Sequence, residues 1–271
     1  MKICIVSKVD VKEPIELAQS VGWELSALGH TVVYEESVAA ELGYAGVDLA
    51  GLDADLVFVI GGDGSVLRAV RMMNPQIPVL GINQGQVGFL TDVERDMVTE
   101  VLSSLHLPLN VDSRMRIAVS CDGRSLGCAL NEAVIVTSRP SKMLSFDIYV
   151  NDCRIDTFRA DGLIISTPTG STAYAMSAGG PIVDPKVEAI LLAPIAPYLL
   201  SSRPIILSAA SCLRIEMTSQ NKSAVISLDG KDQYDVGETA SVTITKADQP
   251  ALFVDIGRTF FEKVEQKLRQ Q

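Results

Sequence analysis

Leu56 to Ile60, Leu-Val-Phe-Val-Ile, is an uninterrupted apolar run that passes directly into Gly61-Gly62-Asp63-Gly64-Ser65. Such a run, bounded by turn residues, predicts a strand buried on both faces, and strands of that kind belong to parallel sheets covered by helices. Val66 to Met73 then has helical character and stops at Asn74-Pro75, because the residue before a proline is pushed out of the helical region. Strand, glycine turn and helix therefore follow one another. Neighbouring segments agree: Ile3 to Val6, Thr31 to Tyr34 and Pro78 to Ile82 read as strands, and Asp96 to Leu105 as a helix. Pro14 to Leu28 carries apolar residues at 15, 18, 21, 25 and 28, a helical stripe with proline at its start and Gly29 just past its end.

From about Leu109 the texture changes. Met115 to Cys121, Ala133 to Thr137, Phe146 to Val150, Gly162 to Ser166, Leu213 to Met217, Ala224 to Leu228 and Ser241 to Thr245 are short alternating or β-branched runs separated by turn residues, at the spacing of a β-sandwich. Thr259 to Arg269 returns to a helical pattern. With about 150 residues as the usual share of one domain, 271 residues fit two domains or one large one. The expected architecture is an α/β domain over 1–108, completed by a returning segment 250–271, and a mostly-β, sandwich-like domain over 109–249, α+β overall.

The glycines of Gly61 to Ser65 let a ligand approach the backbone closely, and the N–H groups at the start of the following helix favour phosphate. A carboxylate in such a turn is electrostatically unfavourable. Asp63 therefore either holds a divalent cation, accepts a proton from a hydroxyl that attacks phosphorus, or, with Ser65, merely caps the helix. Neither G-x-x-x-x-G-K-[ST] nor a G-x-G-x-x-G after the first strand is present, which disfavours P-loop enzymes and standard dehydrogenases. The two histidines, His30 and His106, each lie in a turn away from other catalytic-type groups, so a general base is expected to be a carboxylate. A second cluster runs from Phe158-Arg159-Ala160-Asp161-Gly162 through Ser166-Thr-Pro-Thr-Gly-Ser-Thr-Ala-Tyr174 to Ser177-Ala-Gly-Gly-Pro181. Its hydroxyls, glycines and tyrosine suit a nucleoside, as do the amide and carboxylate of Asn131-Glu132, although both segments also read as ordinary turns.

Thirty-three acidic residues against 23 Lys and Arg leave a net charge of −10, which repels nucleic acid and gives weight to the few cations near any anion site. Five cysteines without a C-x-x-C pair suggest neither disulfides nor zinc, and the N-terminus lacks a signal-peptide pattern, so a cytoplasmic protein is expected. Ala189 to Leu207 is apolar but carries Pro194, Pro197, Arg203 and Pro204, and reads as core segments joined by turns, with no membrane span.

Together these segments resemble the NAD kinase family over nearly the whole chain. Gly61 to Ser65 is similar to its G-G-D-G-[ST], Gly81-Ile-Asn83 through Gly88-Phe89-Leu90 to its G-I-N-x-G-x-x-G-F-L, and Asn131-Glu132 to its N-E; Asp161-Gly162 and Pro168 to Tyr174 complete the pattern. G-G-D-G alone is shared with 6-phosphofructokinases and lipid kinases, which leaves a lipid or sugar kinase, or a non-catalytic nucleotide-binding module, as alternatives. The resemblance implies a phosphofructokinase-like first domain. It also implies transfer of a phosphoryl group from ATP or polyphosphate to the adenosine 2′-hydroxyl of NAD, with a divalent metal, Mg²⁺ on the family pattern, and a homodimer or homotetramer. It implies Asp63 as the base, Gly62, Gly64, Ser65 and Arg68 near the donor, and Lys142 and Arg159 on phosphates. Asn131, Glu132, Asp161, Thr172, Ala173, Tyr174, Ala175, Met176 and Ser177 would lie along NAD, and Asp229 matches a further family position. Tyr198 and Lys231 stand where many relatives carry other residues, and neither is given a role.

Overall fold

In a computed structural model, the described residues are all but 84–87, 140–141, 200, 219–222 and 270–271. Chain contacts divide it into two units, Met1–Ser113 with Ala251–Gln271, and Arg114–Pro250.

The first unit runs β1 (Lys2–Ser7), α1 (Lys12–Ala27), β2 (Thr31–Glu35), α2 (Glu36–Leu42), β3 (Gly46–Val47), β4 (Leu56–Ile60), α3 (Asp63–Met72), β5 (Val79–Asn83), β6 (Val93–Glu94), α4 (Val98–Ser104) and β7 (Val111–Arg114). The second runs β8 (Ile117–Cys121), β9 (Arg124–Ala129), β10 (Glu132–Thr137), β11 (Leu144–Val150), β12 (Cys153–Ala160), β13 (Gly162–Ser166), a short α5 (Tyr174–Ser177), β14 (Ala189–Ile195), β15 (Ile205–Ser208), β16 (Leu213–Thr218), β17 (Ala224–Leu228), β18 (Lys231–Val236) and β19 (Thr239–Lys246). The chain then returns to the first unit as β20 (Ala251–Val254) and α6 (Phe260–Arg269).

Among the described residues the first sheet has the order β3-β2-β1-β4-β5-β20-β7, with β6 on β5. Strands β2, β1, β4, β5 and β20 pair in parallel. Every residue of β4 and β5 is buried, as the unbroken apolar run at 56–60 requires. From β1 the chain moves through α1 to β2 on one side, whereas from β4 it moves through α3 to β5 on the other. The order therefore reverses between β1 and β4. Ligands of open α/β sheets sit at the carboxyl ends of the strands flanking such a reversal, and β4 ends at Ile60, directly before the glycine turn.

The second unit holds two six-stranded antiparallel sheets, β15-β14-β13-β10-β17-β18 and β12-β11-β16-β19-β8-β9. Strands β8, β11, β16, β17 and β19 alternate buried and half-exposed residues, one face in the core and one toward water. Both sheets feed one core around Phe146, Ile148, Leu163, Ile165, Leu213, Ile215, Ile226 and Val242. Strands β13 and β14 do not alternate, because their outer face is covered too: Val134, Ile164, Ala193 and Ala175 of α5 form a separate small cluster there. The apolar Ala189–Leu207 segment is the two neighbouring strands β14 and β15, and no described helix is long and apolar enough to cross a membrane.

One boundary and several elements differ from expectation for a physical reason. Helix α3 begins at Asp63, three residues earlier than the hydrophobic pattern suggests, since the open Gly62 serves as its N-cap. Helix α2 and the edge strands β12 and β18 escape the pattern because their residues are largely polar or exposed.

Phe146 is fully buried and its ring lies 5.6 Å from that of its cross-strand partner Phe158. Phe146→Ala should lower unfolding free energy by about 3–5 kcal/mol in a denaturant titration; a loss below about 1 kcal/mol would show that this contact does not organise the sandwich core.

Candidate active site

In the first unit, the turn after β4 is built on close approach. A Cβ on Gly61 would stand 2.4 Å from Ser65 Oγ, and its φ of +153° suits glycine. Gly62 adopts extended backbone at the N-cap of α3 and provides no side-chain cap, so neither Asp63 nor Ser65 is used to cap the helix. Asp63 instead reaches the 88–91 loop: Phe89 N–H donates to Oδ2 and Leu90 N–H to Oδ1, both at 2.9 Å. The loop comes this near only because Gly88 has no side chain, as a Cβ there would lie 1.9 Å from Asp63 Oδ1. Gly81 of β5 plays the same part on the other side, a Cβ there falling 2.8 Å from Leu90 O. The Asp63 side chain remains 29% exposed, so it is held and still reachable. Gly62 and Gly64 are exposed and open, with nothing within 4 Å of where their Cβ atoms would stand. Gln84 to Val87, including Gly85 of the expected motif, lie outside the described residues.

Arg68, one turn further along α3, does not stand free. Its Nη2 donates to Glu35 Oε1 at 2.6 Å and to Ser37 Oγ at 3.3 Å, and Glu35 is almost wholly buried. A buried carboxylate needs such a partner, so Arg68 carries a structural duty whatever else it touches.

In the second unit a polar cluster gathers at one end of the β10–β13–β17 sheet. The register places Glu132 opposite Ser166 and Ala133 opposite Leu228, the residue before Asp229. The Asp229 carboxylate accepts the N–H groups of Leu130 (2.9 Å), Asn131 (2.7 Å) and Glu132 (3.2 Å), which fixes the Asn131-Glu132 backbone. Thr167 Oγ1 donates to Leu130 O at 2.6 Å and accepts from Gly170 N–H. Gly170 lies directly on Asn131, with 2.2 Å between a hypothetical Cβ and Asn131 O. The hydroxyl-rich turn and the Asn-Glu pair are thus packed on each other. Glu132 is buried, and its Oε2 has no hydrogen-bond partner. Burial, then the charge of Asp229, push its carboxyl up to about 7, although the Tyr174 N–H opposes this. Buried Arg116, which donates to Gln249 O at 2.9 Å, has its guanidinium pulled down by the same loss of solvent, while Cys128 and Asp229 act in the opposite direction.

Two family models cover the chain, the ATP-NAD kinase N-terminal domain over residues 3–107 and the ATP-NAD kinase C-terminal domain over 130–256. The chain belongs to the NAD kinase family. It is 64% identical over 270 residues to an NAD kinase of Methanocorpusculum labreanum, with 99% of each chain covered, and 50% identical over 269 residues to one of Methanoculleus marisnigri, again with 99% of each covered. Among solved structures it is similar to an NAD kinase from Archaeoglobus fulgidus in complex with ATP, at TM-score 0.81 and 28% identity with 100% of both chains covered. It is also similar to yeast NADH kinase complexed with NADH, at TM-score 0.87 and 25% identity, covering 99% of this chain and 87% of the other. The chain is accordingly an enzyme of the NAD kinase family, and the sugar- and lipid-kinase alternatives left open by G-G-D-G fall away.

Within this NAD kinase fold the expected residues divide into groups. Asn131, Glu132, Thr172 and Asp229 join one cluster, beside exposed Tyr174 and Ser177 and half-buried Ala173 and Met176. Ala175 is fully buried against the sheet, where its methyl group serves packing. Asp161 immediately precedes β13, at the end opposite Ser166, and Arg159 is near the end of β12. There Arg159 stacks on Tyr198, its guanidinium 5.4 Å from the ring centre, and Tyr198 N–H donates to Arg159 O. Lys142 is exposed, with its N–H on Arg139 O. Sequence reasoning assigns no role to the Phe89 and Leu90 amides, to Glu35 or to Lys267, whose Nζ stands 4.0 Å from Asp63 Oδ2. Backbone amides leave no residue-type signature, and ion pairs between distant segments leave no spacing.

Because the folded Glu132 titrates above its ordinary 4.5, its contribution to stability is present below that value and is lost as pH rises through about 7. Glu132→Gln should therefore unfold at a higher temperature than the unmutated protein at pH 8, by up to about 3 kcal/mol in free energy, and show little advantage at pH 5. Equal differences at both pH values in a thermal scan would remove the buried acid as the cause.

Proposed function

We propose that this enzyme phosphorylates the adenosine 2′-hydroxyl of NAD with the terminal phosphoryl group of ATP, releasing NADP and ADP. The observation that carries the reading is the Gly62-Asp63-Gly64 turn: two open, exposed glycines flank a carboxylate that is oriented by two amides and not used as a helix cap. Asp63 accepts the hydroxyl proton as the 2′-oxygen bonds to the terminal phosphorus and the bond from that phosphorus to the bridging oxygen of ADP breaks. Each Asp63 oxygen retains a lone pair after its single amide bond, which leaves room for the incoming proton.

In a loose phosphoryl-transfer transition state, positioning and charge neutralisation carry most of the catalysis. The open backbone at Gly62 and Gly64, with Ser65, receives the donor phosphates. Arg68 contributes positive charge from its tether on Glu35, and Lys142 and Arg159 serve phosphates from the second unit. Asn131, Glu132, Thr172, Ala173, Tyr174, Met176 and Ser177 bind the dinucleotide, with Asp161 at the other end of β13. Asp229, its carboxylate already engaged by three amides, supports this surface from behind.

A divalent cation, Mg²⁺ on the family pattern, would arrive with the donor. Among the described residues no three His, Cys, Asp or Glu side chains are grouped as a metal cage, and Mg²⁺ usually keeps several waters and binds substrate phosphates. Ser65 and those phosphates would hold it, leaving Asp63 for the proton, and it would offset charge on the phosphate oxygens. The five free cysteines agree with a reducing, cytoplasmic setting. Exposed Tyr198, Leu199 and the edge-strand Ile206 provide apolar surface for a homodimer or homotetramer, which light scattering should reveal as a mass at least twice that of one chain.

Incubation with NAD, Mg²⁺ and either ATP or polyphosphate, followed by an NADP-specific dehydrogenase, reads reaction and donor together; NADP should form with ATP. Asp63→Asn should lower kcat by about 100-fold or more, the loss typical of removing a general base. A folded Asp63→Asn variant with undiminished kcat would refute the assignment.

A further inference from the structure

The C-terminal helix α6 has no part in the mechanism above, yet one face of it is fitted to the loop that holds Asp63. Phe260, Lys263 and Lys267 stand at i, i+3 and i+7, so they project from the same side of the helix. All three meet Phe89. The Phe260 ring packs 6.3 Å from the Phe89 ring, Lys263 Nζ donates to Phe89 O at 3.4 Å, and Lys267 Nζ lies 4.1 Å from the centre of the Phe89 ring. Lys263 also forms a nearly buried ion pair with Asp92, which ties the helix to the end of the same loop. Phe89 is the residue whose N–H donates to Asp63 Oδ2, and Lys267 Nζ reaches 4.0 Å from that same oxygen.

From this arrangement we propose that Lys267 is a positioning residue for phosphoryl transfer, its ammonium seated between the Phe89 ring and the Asp63 carboxylate so that the base is held toward the acceptor hydroxyl and its charge is offset against the incoming donor. The proposal rests on the reading of Asp63 as the base. An aromatic face and a carboxylate together make a defined seat for a cation, as each attracts it and the ring excludes water from one side. The seat answers the electrostatic difficulty of the turn. A carboxylate beside a triphosphate repels it, and at 4.0 Å Lys267 is close enough to cancel much of that repulsion while remaining too far to occupy the lone pairs of Oδ2 with a hydrogen bond. The side chain of Lys267 is 28% exposed, so the pair is partly shielded from bulk solvent and salt.

The test is a double-mutant cycle on the full chain, with NADP formation as the readout and thermal unfolding as a check on folding. Lys267→Met should lower kcat about tenfold and leave KM for NAD within about twofold, the pattern of a misplaced reacting group. Lys267→Arg, which keeps the charge and stacks on an aromatic ring, should recover most of that loss. In an Asp63→Asn background, Lys267→Met should add less than about a twofold further loss, because the group it acts through is gone. Wild-type kcat in Lys267→Met, losses that multiply in the double variant, or an arginine variant as slow as the methionine one would each overturn the proposal. Asp63→Asn at full kcat overturns the reading of Asp63 and this proposal with it, whereas an impaired Asp63→Asn beside a fully active Lys267→Met overturns this proposal alone.

Discussion

A single carboxylate held by two backbone amides organises the glycine turn and the loop facing it in the first unit. Hydrogen bonds from N–H groups to an ionised acid are each worth about 1.5–3 kcal/mol, and two from adjacent residues fix direction as well as energy. That grip on Asp63 imposes conditions throughout the first unit. The 88–91 loop must lie against the start of α3, which demands no side chain at Gly88; it must also lie against β5, which demands none at Gly81. Strands β4 and β5 must run in register so that turn and loop emerge side by side, and the pairing of Ile60 with Ile82 supplies this. Gly61, Gly81 and Gly88 are thus explained by three different close approaches, to Ser65, to the 90–91 backbone and to the Asp63 carboxylate itself.

The parts of this arrangement that the sequence reveals are those governed by local pattern. Leu56 to Ile60 had to be a central strand because nothing in it tolerates water, and the alternating runs after Leu109 had to be strands with one wet face. The α/β unit followed by a β-rich one is legible on those grounds. The polar side of the fold is less so. Edge strands β12 and β18 carry charged and hydroxyl residues that a pattern of burial passes over, and α2 is too short to show a stripe. At the candidate site, Asp63 stands out because an acid in a glycine turn of the kind that favours phosphate is anomalous, but its partners are amides 26 and 27 positions away and an ammonium near the end of the chain. Glu132 reads as half of an ordinary polar turn in sequence, and only the register beside Ser166 and Asp229 shows it to be a buried acid.

The second unit violates the usual rule of a protein interior at one buried acid, Glu132. A buried carboxyl oxygen without a partner, next to another acid, destabilises the fold, and nothing in packing requires it. Much of its surroundings is tied down: Asp229 aligns three consecutive N–H groups, Thr167 bridges Leu130 and Gly170, and Ser171 exchanges hydrogen bonds with Val183. Two buried oxygens at this turn, Glu132 Oε2 and Thr169 Oγ1, are left without a partner, and an unpartnered acceptor of that kind can receive a hydrogen bond from outside the protein.

Charge placement links these observations to the path of the chain. With a net charge of −10, most of the surface repels the anionic substrates of this family, so the cations nearest Asp63 matter out of proportion to their number. Lys267 and Lys263 reach the loop from α6, at the far end of the sequence, and Arg68 is anchored on a buried glutamate. Each is fixed by a partner, Asp92, Glu35 or the Phe89 ring, instead of being left as a mobile surface charge. Fixed charges need no reorganisation when phosphate arrives, which is the condition under which electrostatic stabilisation contributes most to phosphoryl transfer. The return of the chain to its first unit through β20 and α6 therefore does more than complete a sheet: it carries positive charge back to a turn whose own sequence, Gly-Gly-Asp-Gly-Ser, contains none.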